Sequence, residues 1–347
     1  MEKFLTIMFV VAVAFETLAD TVKFAVKVLD EQTGLPVSGV KVSAGFTTDR
    51  GLLARDRYTC EFKQYETDAD GLIAARGTSN CGEAGWSVNR AEGYYCPVHG
   101  NGTPRFHGKN LFGVWQPDNT VITVKLQRVE HPIPLLVKRT PGGAFDSCKE
   151  DLFSKGNGRI MFDFIEGDWL PPVGHGKVAD VEFVRLPHQS FGEVVGASGV
   201  KGESYRNSMS VKFLGEGNGL VEMHPFPEQA LKIRLAPASG YSPDYLCWKG
   251  EDAKLKWETN YDENRCFCFR IRTRRNEDGT IKEAYYGKIY GDFKISHTSD
   301  PFVPVAAVWM RYYLNPTSLD RNLEWDRVNN LCPNPGDVGH SVGERQP

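Results

Sequence analysis

The sequence predicts an all-β protein: an N-terminal β-sandwich followed by a larger β-sandwich-like domain. Three observations point there. Apolar residues recur at a period of two in short runs, as in Val22, Phe24, Val26 and Val28, which places them on one face of a strand. Gly, Pro, Asn and Asp punctuate those runs as turns. No stretch carries the long 3.6-residue apolar period of an amphipathic helix.

The first element expected is a signal peptide over residues 1–19. Lys3 supplies a positive charge, Phe4 to Phe15 form an apolar run, and Thr17-Leu18-Ala19 offers small residues before Asp20, the pattern of a cleavable secretory leader. A membrane-spanning helix needs roughly 20 apolar residues, and Glu16 interrupts this run sooner. No later stretch approaches such a span, so no integral membrane segment is expected after cleavage. The expected location is secreted, periplasmic or cell-surface.

From Thr21 an alternating strand runs to Leu29, Asp30 to Gly34 form a turn, and Leu35 to Val42 hold a second strand. Glu66 to Gly71 read as a hairpin-like turn before Leu72-Ile73. Later strands are expected at Gly85 to Val88 and Thr120 to Leu126, giving a small antiparallel sandwich over residues 20–130. Residues 131–147 are rich in Pro and Gly and are read as a linker. Residues 148–332 form the larger β-rich domain, with strands at Arg159 to Phe164, Lys177 to Leu186, Ser210 to Leu214, Leu231 to Leu235, Arg265 to Thr273 and Tyr285 to Ile295. Asn276-Glu277-Asp278-Gly279 joins two of these as a hairpin, and Gly215 to Gly219 read as another hairpin turn. Residues 333–347 make a polar, flexible tail.

The 41 basic and 44 acidic residues give a formal charge of −3, so no global field draws the chain to nucleic acid. Eight cysteines in an exported chain are read as disulfide candidates: Cys60, Cys81, Cys96, Cys148, Cys247, Cys266, Cys268 and Cys332. Connectivity stays open. In Cys266 to Arg272 the period of two puts Phe267, Phe269 and Ile271 on the core face. It sends Cys266, Cys268, Arg270 and Arg272 to the outer surface. Cys81, Cys96, His99 and His107 could instead offer zinc ligands, but an oxidising compartment favours bridges, and no metal or cofactor is assigned.

Catalytic motifs are missing. There is no His-Glu-x-x-His, no Gly-x-Ser-x-Gly around Ser87 or Ser198, and no Lys-Ser/Thr after the glycine-rich Gly215 to Gly219. Paired carboxylates can come from distant strands, which leaves Asp163, Glu166, Asp168 and Asp292 as the residues of an alternative reading, a polysaccharide-acting hydrolase. The favoured reading is a non-catalytic binding or structural module whose partner is a glycan or an envelope protein. Trp115, Trp169, Trp248 and Trp257 fall in or near expected loops, where an indole face can stack on a sugar ring. Arg270, Arg272, Arg274 and Arg275 form a basic stripe suited to an acidic partner or to a solvated face.

Thr33-Gly34-Leu35-Pro36, Gly39-Val40 and Thr67-Asp68-Ala69-Asp70-Gly71 resemble the opening of the carboxypeptidase regulatory-like domain, a transthyretin-like (prealbumin-like) sandwich. The resemblance covers about the first third of the mature chain and implies fold, not function. Pro132 to Arg139, Gly167 to Pro172, Tyr286 to Phe293 and Tyr312 to Thr317 are similar to a group of exported bacterial proteins that pair such a sandwich with a second domain. That likeness spans nearly the whole mature chain and implies no reaction.

Overall fold

A computed structural model of the chain describes residues 21–51, 56–95, 101–102, 104, 106–111, 114–118, 120–140, 152–195, 199, 201–223, 233–262, 265–296 and 307–333. Residues 1–19, expected as a signal peptide, and residues 334–347 of the expected tail lie outside them. The described residues are nearly all strand, and the chain divides into two compact units, residues 1–130 and 131–342.

The first unit is a two-sheet sandwich. Its strands are β1 (Thr21–Asp30), β2 (Lys41–Asp49), β3 (Tyr58–Glu66), β4 (Leu72–Thr78), β5 (Ala84–Arg90), β6 (Tyr94–Tyr95), β7 (Asn101–Gly102) and β8 (Thr120–Arg128). One sheet has the order β4-β1-β8-β6 and the other β3-β2-β5-β7. Val22, Phe24, Val26 and Val28 are buried against Val42, Ala44 and Phe46, as period-two strands facing across a sandwich require. Two expectations are corrected. The sandwich is not wholly antiparallel, because β1 and β8 pair in parallel. The turn at Thr67 to Gly71 is a crossover between sheets, since β3 and β4 pair with different partners. Asp68 shapes that turn by accepting the N–H groups of Asp70 and Leu72.

Asp30 closes the end of β1. Its carboxylate accepts the N–H groups of Gln32 and Thr33, the Tyr94 hydroxyl and the Arg128 guanidinium. The Thr33 N–H contributes most to holding this acid well below the usual carboxylate range, with Tyr94 and Arg128 adding to it against the penalty of burial.

The second unit opens with β9 (Ile133–Arg139). These residues, read from sequence as linker, form a strand because Leu135 and Val137 bury on one face and Leu136 on the other. The unit continues through a single helical turn α1 (Leu152–Lys155), then β10 (Arg159–Asp163), β11 (Asp168–Trp169), β12 (Val181–Arg185), β13 (Gln189–Val195), β14 (Lys201–Phe213) and β15 (Gly219–Met223). The remaining strands are β16 (Asp244–Glu251), β17 (Trp257–Thr259), β18 (Cys266–Arg275), β19 (Ile281–Ser296), β20 (Ala307–Leu314) and β21 (Trp325–Asn330). A seven-stranded sheet runs β11-β10-β12-β14-β16-β17, with β13 also on β14, and a six-stranded sheet runs β15-β18-β19-β20-β9-β21. Phe162, Phe183, Val211 and Phe213 from the first meet Phe267, Phe269, Ile289 and Tyr312 from the second. Gly215 to Gly219 do not form a hairpin: β14 and β15 belong to different sheets, so the segment is the corner between them. The Asn276 to Gly279 turn does join β18 to β19, with Arg275 opposite Ile281.

Cys266 and Cys268 are not on the surface; both are fully buried. The outer face of the six-stranded sheet carries a second apolar layer that includes Ile233, Ala236, Tyr286 and Leu323, so β18 is buried on both faces. Lys288, directly opposite Cys268, pins that layer by donating to the carbonyls of Ile233 and Leu323. Burial pushes the Cys268 thiol up to about 12. No disulfide joins any two described cysteines among Cys60, Cys81, Cys247, Cys266, Cys268 and Cys332; Cys96 and Cys148 lie outside the described residues. Cys60 is exposed, while the Cys81 thiol donates to the Thr47 carbonyl.

Candidate functional site

The sequence-selected side chains go to different places. Trp115, in the first unit, donates its indole N–H to the Ser79 carbonyl at 2.7 Å and packs so closely on Gly82 that a Cβ there would lie 2.7 Å from the ring. It is a packing residue. Trp169, in the second unit, stands in the core among Phe162 and Phe183, with no exposed face to offer. Trp248 carries the Arg206 guanidinium 4.2 Å from its ring centre. Trp257 is 53% exposed.

The four carboxylates of the hydrolase reading are engaged in holding the fold. Asp163 accepts backbone N–H groups from Ile165, Glu166, Lys177 and Val178. It also meets Arg272 at 2.6 Å, and Arg272 reaches Asp180 at 2.9 Å. Burial opposes the charge on Asp163, but those N–H groups and Arg272 outweigh it and lower its pKa; at Asp180 burial wins and raises it. Asp168 accepts the N–H groups of Trp169 and His175, and Glu166 pairs with Lys177. The arginine stripe is likewise divided. Arg270 is buried and donates to the Gly217 carbonyl, Arg272 is turned inward at a bulge with φ of 52°, and Arg274 pairs with Glu283. Arg275 donates to the Gly279 carbonyl. A bulge breaks the period of two that would have aligned them.

The remaining carboxylate, Asp292, helps to build a cleft. It accepts hydrogen bonds from Tyr245 Oη at 3.0 Å, from Arg265 at 2.6 Å and from the Asp262 N–H. Burial raises its pKa against the pull of Asp262 N–H and Arg265. Arg265 also donates to the Asn260 carbonyl and pairs with Glu222. These contacts fix the segment that follows edge strand β17. Thr259 and Asn260 extend the pairing with β16 through their side chains, bonding the Trp248 carbonyl, the Trp248 N–H and the Leu246 carbonyl.

The result is a cleft of about 120 Å³ at the open edge of the second sandwich. Cys247 and Phe293 line it from the core side, with Lys249, Trp257 and Tyr261 at the rim. The Lys249 ammonium lies 5.6 Å from the Trp257 ring centre. Burial raises the Cys247 thiol far above its ordinary value, which deprives it of the thiolate that nucleophilic chemistry needs. An apolar floor with aromatic and cationic rim groups suits binding of a ring with polar edges. Of the sequence-selected tryptophans, Trp248 and Trp257 border this cleft, whereas Tyr261, Lys249 and Arg265 were not singled out.

Among the described residues, no three His, Cys, Asp or Glu side chains are placed to hold a metal ion, and no helix is long and apolar enough to cross a membrane. Cys96 and His99 of the zinc alternative lie outside the described residues.

No protein-family model matches the chain, and no curated protein does. Among solved structures, BcpA, the major pilin subunit of Bacillus cereus, aligns at 11% identity over 85% of this chain and 96% of its own, with a TM-score of 0.22. The C-terminal domain of the shaft pilin spaA from Lactobacillus rhamnosus GG aligns at 12% identity over 31% of this chain and 98% of its own, with a TM-score of 0.21. GBS52, the minor pilin of Streptococcus agalactiae, aligns at 16% identity over 36% of this chain and 48% of its own, with a TM-score of 0.22. At such TM-scores these likenesses carry no argument about function.

Proposed function

We propose that the protein is an exported, non-catalytic binding module whose second unit holds a saccharide ring in the cleft between β16 and the residues following β17. The observation that carries this reading is the half-exposed Trp257 indole beside Lys249 and Tyr261, over a floor of Cys247 and Phe293. Aromatic faces take the apolar side of a sugar, and the rim polar groups take its hydroxyls. The structural engagement of Asp163, Asp168 and Asp292 favours binding over hydrolysis, because each carboxylate is already committed to backbone or side-chain donors. The turn motifs at Thr33 to Pro36 and Thr67 to Gly71 support kinship of the first unit with carboxypeptidase regulatory-like domains, and the leader-like residues 1–19 support export.

A glycan array probed with the mature full chain tests the function. At least one saccharide should be retained, and Trp257→Ala should lose most of that binding while keeping the wild-type melting temperature, since an exposed side chain contributes little to stability. If no saccharide is retained, or if Trp257→Ala binds as the wild type does, the reading is wrong.

A further inference from the structure

Strand β14 is 13 residues long, and one face of it changes character along its length. Met209, Val211 and Phe213 point into the core of the second sandwich. Residues of the same parity nearer its start are Asn207, Tyr205 and Glu203, and side chains two apart share a face of a strand. The same change occurs on β16. Tyr245 packs against the core and Cys247 belongs to it, whereas Lys249 and Glu251 follow on that face. The pairing between these strands is continuous, with Tyr205 opposite Glu251 and Asn207 opposite Lys249. On the next strand Glu251 faces Trp257 and Lys249 faces Thr259. Tyr205, Glu251 and Trp257 thus form one cross-strand row, and Asn207, Lys249 and Thr259 a second beside it. Both rows lie on the inner face of the sheet, past the residues that form the core.

We infer that the cleft is one end of this longer face, and that its ligand is a linear glycan of at least three sugar rings lying across β14, β16 and β17. The inference rests on the saccharide reading above. Three features favour a chain over a single compact ring. The cleft, at about 120 Å³, is well below the roughly 300 Å³ at which a pocket encloses a whole small ligand, so a lone ring would be only partly covered. Tyr205 and Trp257 stand two strand spacings apart, about 10 Å at the backbone, which separates two aromatic contacts along an extended chain. Polar groups lie between and beside them. Glu251 and Glu203 are close enough to the Tyr205 hydroxyl to help raise its pKa, although burial contributes most. His188 braces the same ring, stacked at 5.5 Å and bonded to Asn207 at 2.9 Å. A flat, β-linked chain would place alternate rings, the first and the third, over the two aromatic positions and its hydroxyls against Glu251, Lys249 and Asn207.

Isothermal titration of the mature full chain with glucose, cellobiose and cellotriose, and in parallel with N-acetylglucosamine and its β-linked dimer and trimer, separates the outcomes. In the series that binds, affinity should rise at least about tenfold from monomer to trimer. Tyr205→Ala should weaken the trimer roughly 5- to 10-fold, in the range of a lost aromatic contact, and leave the monomer unchanged, with Tyr205→Phe close to wild type. Equal affinity for monomer and trimer, or a Tyr205→Ala variant that binds the trimer normally, overturns the inference while the single-ring cleft stands. Failure of every saccharide to bind, or indifference to Trp257→Ala, removes both readings. The chain-length series needs no variant, so a poorly folded Tyr205→Ala would still leave the inference open to refutation.

Discussion

Replacing Arg272 with methionine tests how the second sandwich is held closed. The guanidinium comes from β18 in one sheet and reaches Asp163 at 2.6 Å and Asp180 at 2.9 Å, both on the side of the other sheet and each with a side chain about 1% exposed. Methionine preserves most of the packing volume and removes only the charge and its hydrogen bonds. Asp163 would keep its four backbone donors, but Asp180, losing both Arg272 bonds, would be left with the Phe164 N–H, so the cost falls mainly on Asp180. Breaking a buried pair by removing one partner costs about 3–5 kcal/mol, a midpoint shift of roughly 1 M in guanidinium chloride for a unit of this size. The sign of the pH dependence follows from Asp180. Burial already raises its pKa in the folded protein, and loss of Arg272 raises it further. The folded variant therefore holds a proton that the unfolded chain, with an Asp pKa near 3.9, has released, and its stability falls as pH rises through that window. Guanidinium unfolding followed by tryptophan fluorescence should show a smaller deficit at pH 4.5 than at pH 8. Adding Asp180→Asn should recover about 1–2 kcal/mol. A deficit under 1 kcal/mol at pH 7, or one that does not change with pH, would refute the reasoning.

Asp30 predicts the opposite acid behaviour in the first unit: its pKa is lowered on folding, so its stabilisation is complete above about pH 5 and is lost as pH falls below the unfolded value of about 3.9. Thermal melts between pH 2 and 6 should steepen accordingly in wild type and flatten in Asp30→Asn. After reduction and removal of the reductant, Ellman's reagent should label Cys60 in the native protein, whereas Cys247, Cys266 and Cys268, each under 4% exposed, should react only on unfolding; labelling of all four at one rate would show that the outer layer over β18 is not packed. Gly71 has φ of 70°, and a Cβ there would lie 2.4 Å from the Val28 carbonyl oxygen. Gly71→Ala should therefore lower stability by about 1–3 kcal/mol, measured as a shift in the denaturation midpoint.

Much of the fold is legible from period-two patterning because one-sided strands carry it plainly. Val22 to Val28 are an instance: their alternation survives intact in the burial of β1. The pattern misleads where both faces are covered. Cys266-Phe267-Cys268-Phe269-Arg270-Ile271 is buried at every position, but small cysteines beside large phenylalanines resemble an outside face beside an inside one. The covering layer comes from residues near 233–236 and 323, too distant in sequence for a local window to register. Pro134 and the nearby glycines similarly disguised β9 as linker, although Pro at the second position of a strand removes only one ladder donor. The two crossovers, after β3 and after β14, carry the residues of hairpin turns because turn chemistry is the same whether the next strand pairs with its predecessor or with the opposite sheet.

The candidate site was half legible for a related reason. Loop position alone singled out four tryptophans, and it could not separate Trp169, packed at 5% exposure, from Trp257, at 53%. What separates them is where a sheet outruns the sheet facing it, and that boundary is written along the strands. On β14 the inward parity reads Lys201, Glu203, Tyr205, Asn207 and then Met209, Val211, Phe213; on β16 it reads Tyr245, Cys247 and then Lys249, Glu251. A strand whose inner face turns from apolar to polar midway leaves its core at that residue. Two neighbouring strands that turn at paired positions, here Asn207 and Met209 against Lys249 and Cys247, mark a shared edge where the sheet continues past the core cluster of the described residues. Aromatic residues on that parity beyond the edge, Tyr205 and Trp257, lie outside the core cluster that takes in Trp169.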